Sequence, residues 1–235
     1  MKLLIILLMV VSFLQTRVGS FDHYMLAEVW PAGFCQTHTC IKKVNKFIIH
    51  GLWPQTKPAV DPSHCPETSE LKLDGSLVRK LHVDWQSLTN TKDEVFWKAE
   101  WDKHGSCSML EQNKYFEIAS TVYRKHSIRD ILKAKNIGDK FIAESLSKQV
   151  FEKAIKDGIG SKPQLYCDTQ HNLVEVRLCL DKNDPYDFKD CSAASASCPD
   201  KGIIFQYSYT PHGVMTHDDP MDSEEKQLPR VMPPL

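Results

Sequence analysis

The spacing of hydrophobic and polar residues predicts strands in the early and late parts of the chain. Apolar runs at 24–30 (YMLAEVW), 46–50 (KFIIH) and 202–206 (GIIFQ) have the length of buried strands. Residues 174–180 alternate between apolar and charged side chains, which is typical of a half-buried strand. These four segments are the predicted strands of the chain.

In the middle of the chain, apolar residues recur at the spacing of helices. Residues 93–104 can form a helix that Gly105 ends, and the apolar residues of 114–125 recur at helical intervals. A further helix is predicted from the apolar side chains of Phe141, Ile142, Leu146 and Val150. Residues 53–70 contain four prolines and predict an irregular surface loop. The whole pattern indicates one α+β domain.

The two ends of the chain differ from this domain. Lys2 precedes an apolar run from Leu3 to Leu14 that only Ser12 interrupts, and the small residues at 18–20 (VGS) follow it. This pattern is typical of a secretory signal peptide, and the run is shorter than the ~20 residues that a membrane span needs. We therefore expect a signal peptide at 1–20, the domain at 21–206 and a loosely held, polar, acidic extension at 207–235.

Composition and charge narrow the possible functions. The chain has 235 residues, of which 42% are hydrophobic and 25% charged, so wholesale disorder is excluded. The net charge is −1, and it becomes −3 once Lys2 and Arg17 leave with the signal peptide. No basic field exists that could hold long duplex DNA by releasing its counterions, so a nucleic acid would have to be gripped locally. With no second long apolar run, we expect a secreted, extracellular protein with no membrane partner.

Cysteine usage agrees with secretion. The chain has eight cysteines, and an even number behind a signal peptide implies disulfides. Eight cysteines allow 105 pairings, so the count alone leaves the pairing open. Four lie at or before Cys107 and four at or after Cys167, and pairing within each group is the simplest arrangement. No Cys-x-x-Cys pair is present, which argues against a structural zinc site.

Two short segments carry candidate chemistry. His50 ends an apolar strand and is followed by Gly-Leu-Trp-Pro, and a single histidine there is more often a packed core residue than a catalytic one. In the second segment, Glu100 and His104 are four residues apart on a predicted helix, and Lys103 lies close to the same stripe. Taken alone, that segment fits a solvated ion-pair face equally well.

Together, the two segments favour a two-histidine acid–base site. A histidine titrates near pH 6.5, so two of them can work in opposite protonation states around one reacting centre. A lysine and a glutamate nearby suit a phosphate that gains charge in its transition state. This set fits cleavage of RNA by its own 2′-hydroxyl, which needs no metal or other cofactor and cannot occur in DNA.

The two segments resemble the paired active-site signatures of the ribonuclease T2 family. The resemblance is carried by HGLWP at 50–54 and EWDKHGSC at 100–107, and it extends from Phe21 to about Phe205. It implies a secreted α+β endoribonuclease with a central antiparallel sheet flanked by helices. It also implies a single-stranded RNA substrate. We expect the protein to be a monomer.

The resemblance implies a role for each matching residue. His104 would be the base and His50 the acid, while Glu100 and Lys103 would stabilise the pentavalent phosphate. Trp53 is similar to a base-stacking residue of the first nucleotide pocket and Phe96 to an aromatic of the second. The resemblance to plant members implies four disulfides, Cys35–Cys40, Cys65–Cys107, Cys167–Cys198 and Cys179–Cys191.

Three positions depart from the family pattern. Ala99 stands where many members have a phosphate-contacting histidine, Val29 where many have glutamine, and Gln55 where an acid or asparagine is common. The first change would weaken the grip on phosphate, and the other two would alter base preference. We expect Trp30, Trp97 and Trp101 to be core residues beside the site.

The biological role has two candidates. The eight-cysteine pattern is similar to that of style ribonucleases of self-incompatibility, whose allele-specific surface would fall at 58–80 and whose partners would include a pollen F-box-type recognition protein. The slightly acidic charge, the absence of an Asn-x-Ser/Thr sequon and the long tail favour instead an S-like ribonuclease for RNA turnover, phosphate recovery or defence.

Two other function classes remain as alternatives. His50, Glu100 and His104 could ligate a metal, but Lys103 would oppose the cation and no His-Glu-x-x-His motif is present. A non-catalytic RNA-binding or toxin-like protein would not need all four of these residues.

Overall fold

A computed structural model describes residues 21–56, 62, 65, 70–138, 142–192 and 197–207. The predicted signal peptide and almost all of the predicted extension lie outside the described residues, as does most of 57–69. Within the described ranges, no helix is long and apolar enough to cross a membrane.

Strands and helices follow one another in an α+β order. The strands are β1 His23–Val29, β2 Ile48–Gln55, β3 Glu144–Leu146, β4 Gln164–Cys167, β5 Leu173–Asp181, β6 Phe188–Lys189 and β7 Ile203–Phe205. The helices are α1 Pro31–Phe34, α2 Gly75–Asp84, α3 Asp93–Lys103, α4 Gln112–Tyr123, α5 Ile128–Lys133 and α6 Lys148–Ile159, and a 3-10 turn spans Gly105–Ser108.

The main sheet is antiparallel throughout and confirms the predicted fold class. Its strand order is β2-β1-β5-β4, and β6 pairs with the outer part of β5. β3 and β7 form a separate two-stranded sheet. β2 is an edge strand, which is why it can accommodate Pro54 without losing a ladder hydrogen bond.

One irregularity of the sheet bears on the site. In the β1–β2 ladder, Ala27 pairs with Gly51 and Glu28 pairs with Ile49, so His50 has no opposite residue. This is a β-bulge, and it shifts the alternation of side chains along β2. As a result His50 and Trp53 lie on the same side of the strand although they are three residues apart.

The main core lies between the sheet and the helices. Trp30, Trp97 and Trp101 are buried there, which confirms the prediction that they are core residues. The other face of the sheet carries a smaller apolar cluster of Met25, Ala27, Trp53, Cys179 and Cys191. This second face is the one on which His50 lies.

Four disulfides hold the domain, with the pairing that the family resemblance implied. The bonded pairs are Cys35–Cys40, Cys65–Cys107, Cys167–Cys198 and Cys179–Cys191. Each bridge joins cysteines of one sequence group, as the simplest arrangement predicted. Cys65–Cys107 ties Cys65 to the 3-10 turn that follows α3.

Two predicted segments differ from the structure. The helix expected from Phe141 to Val150 is wrong over most of its length, because 144–146 form β3 and the helix begins only at Lys148. Ile142 is exposed, and pairing with β7 determines the conformation of β3. The predicted loop at 53–70 starts too early, because Trp53 to Gln55 continue β2.

Candidate active site

The bulge places His50 at the open edge of the sheet. Its side chain is 39% exposed, in contrast to its neighbours Ile48 and Ile49, which are fully buried. The Trp85 indole donates a hydrogen bond to the His50 carbonyl oxygen at 2.8 Å, which fixes the backbone of the bulge. A bulge re-aims side chains near functional sites in this way.

Helix α3 brings the second segment to the same place. Trp97 and Trp101 anchor one side of the helix in the core, and the Trp97 indole donates to the Trp85 carbonyl at 2.6 Å. With that side fixed, Glu100 lies on another side of the helix, where it is buried against Trp53 of β2. His104 follows the last helical residue and donates its backbone N–H to the Glu100 carbonyl at 2.9 Å.

Trp53 connects the two segments. Its indole Nε1 donates to Glu100 Oε2 at 2.9 Å. Its ring centroid lies 5.1 Å from that of His50 and 5.2 Å from that of His104. A Cβ at Gly51 would collide with both Trp53 Nε1 and Glu100 Oε2, so glycine is what allows this close approach. Both imidazoles therefore pack against one indole ring.

The remaining predicted residues lie around this group. Lys103 is exposed, forms no ion pair within the described part of the chain, and acts on Glu100 through its charge. Phe96 is stacked on His50 with centroids 6.0 Å apart. Phe96 and His50 line a cavity of about 140 Å³ together with Val29, Phe34, Ile49, Gln86, Ser87, Leu88, Thr89 and Thr91.

The structure brings His50, Trp53, Glu100 and His104 together, with Phe96 at one side and Lys103 at the surface. His104 is only 2% exposed and Trp53 only 7%, so both are enclosed more than the sequence suggested. The roles of these residues in proton transfer and base binding stay predictions. In the described ranges, no group of three or more His, Cys, Asp or Glu side chains is placed to hold a metal ion.

Sequence analysis missed two charged residues of the site, both on β5. His50 Nδ1 donates to Glu175 Oε2 at 2.5 Å, and Arg177 Nε donates to Glu175 Oε1 at 2.5 Å. The Arg177 guanidinium lies 5.0 Å from the Trp53 ring and 4.6 Å from the Tyr166 ring. The alternation of β5 assigned Glu175 and Arg177 to a solvated face, whereas the Glu175 side chain is only 4% exposed.

The charges within the site perturb its titrating groups. Burial lowers the pKa of His50, but the charge and hydrogen bond of Glu175, with a smaller contribution from Glu100, raise the net pKa above its ordinary value. Burial raises the pKa of Glu175, yet His50 and Arg177 together bring it below the usual range. Burial raises the pKa of Glu100 despite the opposing effects of His50 and Trp53. The site thus favours a protonated His50 beside an ionised Glu175.

Comparisons with known proteins agree with this geometry. Residues 21–191 match the Ribonuclease T2 family. The chain is 34% identical over 210 residues to intracellular ribonuclease LX of Solanum lycopersicum, covering 81% of this chain and 86% of that protein. It is 31% identical over 202 residues to ribonuclease S-3 of Pyrus pyrifolia, covering 80% and 89%. The structure of RNase NT in complex with 5′-AMP matches with a TM-score of 0.68 at 31% identity, covering 80% of this chain and 98% of that one.

Proposed function

The chain belongs to the ribonuclease T2 family of endoribonucleases, and on this premise we propose that it cleaves single-stranded RNA through a 2′,3′-cyclic phosphate without a metal ion. His104 takes the proton from the 2′-hydroxyl, and the 2′-oxygen attacks the phosphorus. The bond to the 5′-oxygen breaks, and His50 gives its proton to that leaving oxygen. Water then opens the cyclic phosphate with the two histidines in exchanged roles.

The observation that carries this proposal is the convergence of both imidazoles on Trp53. A phosphodiester beside that ring would lie next to His50 and to His104. The raised pKa of His50 supports its role as the acid, because an acid must hold its proton at the start of the step. The positive charge of Lys103 would stabilise the negative charge that develops on the pentavalent phosphate, and Glu100 would do so as a hydrogen-bond donor in its protonated form, which burial favours.

Base binding fits the surroundings of the two imidazoles. The cavity beside Phe96 has apolar walls and the hydroxyls of Ser87, Thr89 and Thr91, so one base could stack on Phe96 and bond to hydroxyl groups. Val29 lines this cavity, at the position where many family members have glutamine. We propose that the other base stacks on Trp53, at the small part of the ring that is exposed.

The test is a cleavage assay in a chelator. The protein without residues 1–20 is incubated with a single-stranded ribo-oligonucleotide in EDTA, and the ends are analysed by mass spectrometry. We expect cyclic-phosphate ends first and 3′-phosphates later, with no cleavage of the matched deoxyribo-oligonucleotide. Loss of activity in EDTA, or cleavage of DNA, would contradict the mechanism.

We further propose that the chain is secreted and acts in the style in self-incompatibility, which its eight-cysteine pattern supports. RNA turnover is the second candidate, supported by the slightly acidic charge. Expression confined to the style, with allelic variation at 58–80, is the expected result. Expression in leaves or senescing petals would favour the second role.

A further inference from the structure

One buried carboxylate beside the proposed reaction centre has no part in the mechanism above. Glu175 lies on β5, two strands away from His50 in the order β2-β1-β5. Its side chain is 4% exposed, and both of its oxygens are occupied, Oε2 by His50 and Oε1 by Arg177. We propose that Glu175 is the positioning residue that orients the His50 ring and maintains it as the proton donor of the cleavage step. This inference rests on the proposed function.

The hydrogen bond fixes which ring nitrogen faces the substrate. An ionised carboxylate can only accept, so His50 Nδ1 must carry a hydrogen and donate it to Glu175. That leaves Nε2 as the nitrogen available to the leaving 5′-oxygen. The edge-on contact with Trp53 and the stacked contact with Phe96 hold the ring plane from two further sides.

The charges around His50 have opposing effects. Glu175 and Glu100 face the ring with negative charge, and Arg177 with positive charge, so removing Glu175 leaves one favourable and one unfavourable neighbour. Arg177 has a second effect, because its bond to Oε1 helps to keep Glu175 ionised. Together the two carboxylates favour the protonated form of His50, and Arg177 limits how far they raise its pKa.

The test substitution is Glu175→Gln, which keeps the shape of the side chain and removes its charge. In a bell-shaped profile of kcat/KM, the alkaline limb reports the acid and the acidic limb the base. We expect the alkaline limb to move down by about one pH unit, which lowers activity about tenfold on that limb, while the acidic limb stays in place. A profile with both limbs unmoved would overturn the proposal.

A matched control is available in the same sheet. Glu28 on β1 is equally buried and forms a comparable bond to His126, with Oε1 and Nε2 2.6 Å apart. Glu28→Gln therefore removes a similar pair without touching the site, and we expect both limbs to stay where they are in the parent protein. If Glu28→Gln moved the alkaline limb as Glu175→Gln does, the effect would be a general loss of packing and the proposal would fail.

Two further measurements keep the proposal testable if Glu175→Gln does not fold. Arg177→Gln removes the neighbour that lowers the His50 pKa, so we expect its alkaline limb to move up, opposite to Glu175→Gln. NMR titration of the unmodified protein should give His50 a pKa above the ~6.5 of an unperturbed histidine. A lower value would refute the positioning role even if RNA is cleaved. If the protein cleaves no RNA, the proposed function fails, while the titration still tests the pair.

Discussion

Among the histidine–carboxylate pairs of the described residues, His50–Glu175 and His126–Glu28 resemble each other locally and differ in their surroundings. Glu28 lies opposite Val176 in the sheet, and Glu175 lies opposite the next residue, Val29. Because neighbouring residues of a strand point to opposite faces, the two carboxylates belong to opposite faces of one sheet. The bonds to their histidines are nearly equal in length, 2.6 Å and 2.5 Å.

The difference lies in how each imidazole is enclosed. The His126 side chain is 5% exposed and packs edge-on against Phe188, so both members of that pair are buried. The His50 side chain is 39% exposed, and its carboxylate has a second partner in Arg177. In the role that we propose for Glu175, the same kind of bond is a structural contact in one place and supports a proton donor in the other. Exposure and a third partner do not by themselves indicate chemistry, because the 43% exposed His82 forms such a pair with Asp93, which also binds Lys42. What distinguishes His50 is that a second imidazole, His104, packs against the same Trp53 ring.

The sharpest test of this comparison replaces the histidines. His50→Ala should lower kcat/KM by more than the ~10⁴-fold upper bound typical of one acid–base group, since both histidines act in one transition state in the proposed mechanism. His104→Ala should show a loss of the same order, while His126→Gln should cleave RNA at the parent rate. The measurement is steady-state cleavage of a fluorogenic ribo-oligonucleotide. A near-normal rate for either His50→Ala or His104→Ala would end the two-histidine mechanism.

A smaller loss is expected when a stabilising group of the site is changed. Glu100→Gln keeps an oxygen for the Trp53 indole and leaves both proton carriers in place. We expect kcat/KM to fall by about 10²–10³-fold, the range for removing one transition-state stabiliser. Circular dichroism would confirm that the variant is folded. Activity equal to that of the parent would show that the carboxylate role is misassigned.

The structural pair should respond in stability rather than in activity. His126→Ala leaves the buried Glu28 without its hydrogen-bond partner, and leaving a buried polar group unsatisfied in this way costs about 1–3 kcal/mol of unfolding free energy. Urea unfolding at pH 7 measures this loss. Cleavage rates well below the transition should remain those of the parent. An unchanged midpoint would mean that the pair contributes nothing to stability.

The pair at the site should show its stabilising effect only within a window of pH. The pKa of Glu175 is lowered on folding, so its contribution exists above its unfolded value of 4.5 and is lost as the pH falls through the folded value. The pKa of His50 is raised, so its contribution exists below 6.5 and is lost as the pH rises through the folded value. We expect the parent to exceed Glu175→Gln by about 1–3 kcal/mol, most clearly between those two values. Urea unfolding of both proteins at several pH values measures this difference. A difference in unfolding free energy that does not change with pH would show that the coupling is absent.

Sequence reasoning located the two segments of the site but not the bond that organises it. His50, Glu100 and His104 carry local signals, either a motif or helical spacing. Glu175 does not, because its partner is 125 residues away and alternation alone assigns it to solvent. The predicted helix over 141–150 failed for a similar reason, since pairing with β7 prevails over local periodicity there.

The sequence also contained a helix signal that the predictions above did not use. Leu77 and Leu81 are four residues apart and are buried in helix α2, which periodicity could have found. The short strand β4, with only four residues, offers too little pattern to recognise. The disulfide pairing followed from family likeness and cysteine grouping, because 105 combinations cannot be resolved from spacing.

The unpaired residue in β2 makes the length of that strand as important as its composition. Ile49 and Leu52 belong to the helix-side core although three positions separate them, which strict alternation forbids. Deleting Ile48 or Ile49 while Trp53 stays opposite Met25 would restore an uninterrupted ladder, place His50 opposite Glu28 and turn its ring toward the helices, away from Glu175. Natural variation that changes the number of residues in 48–52 should therefore be tolerated less than many single substitutions there.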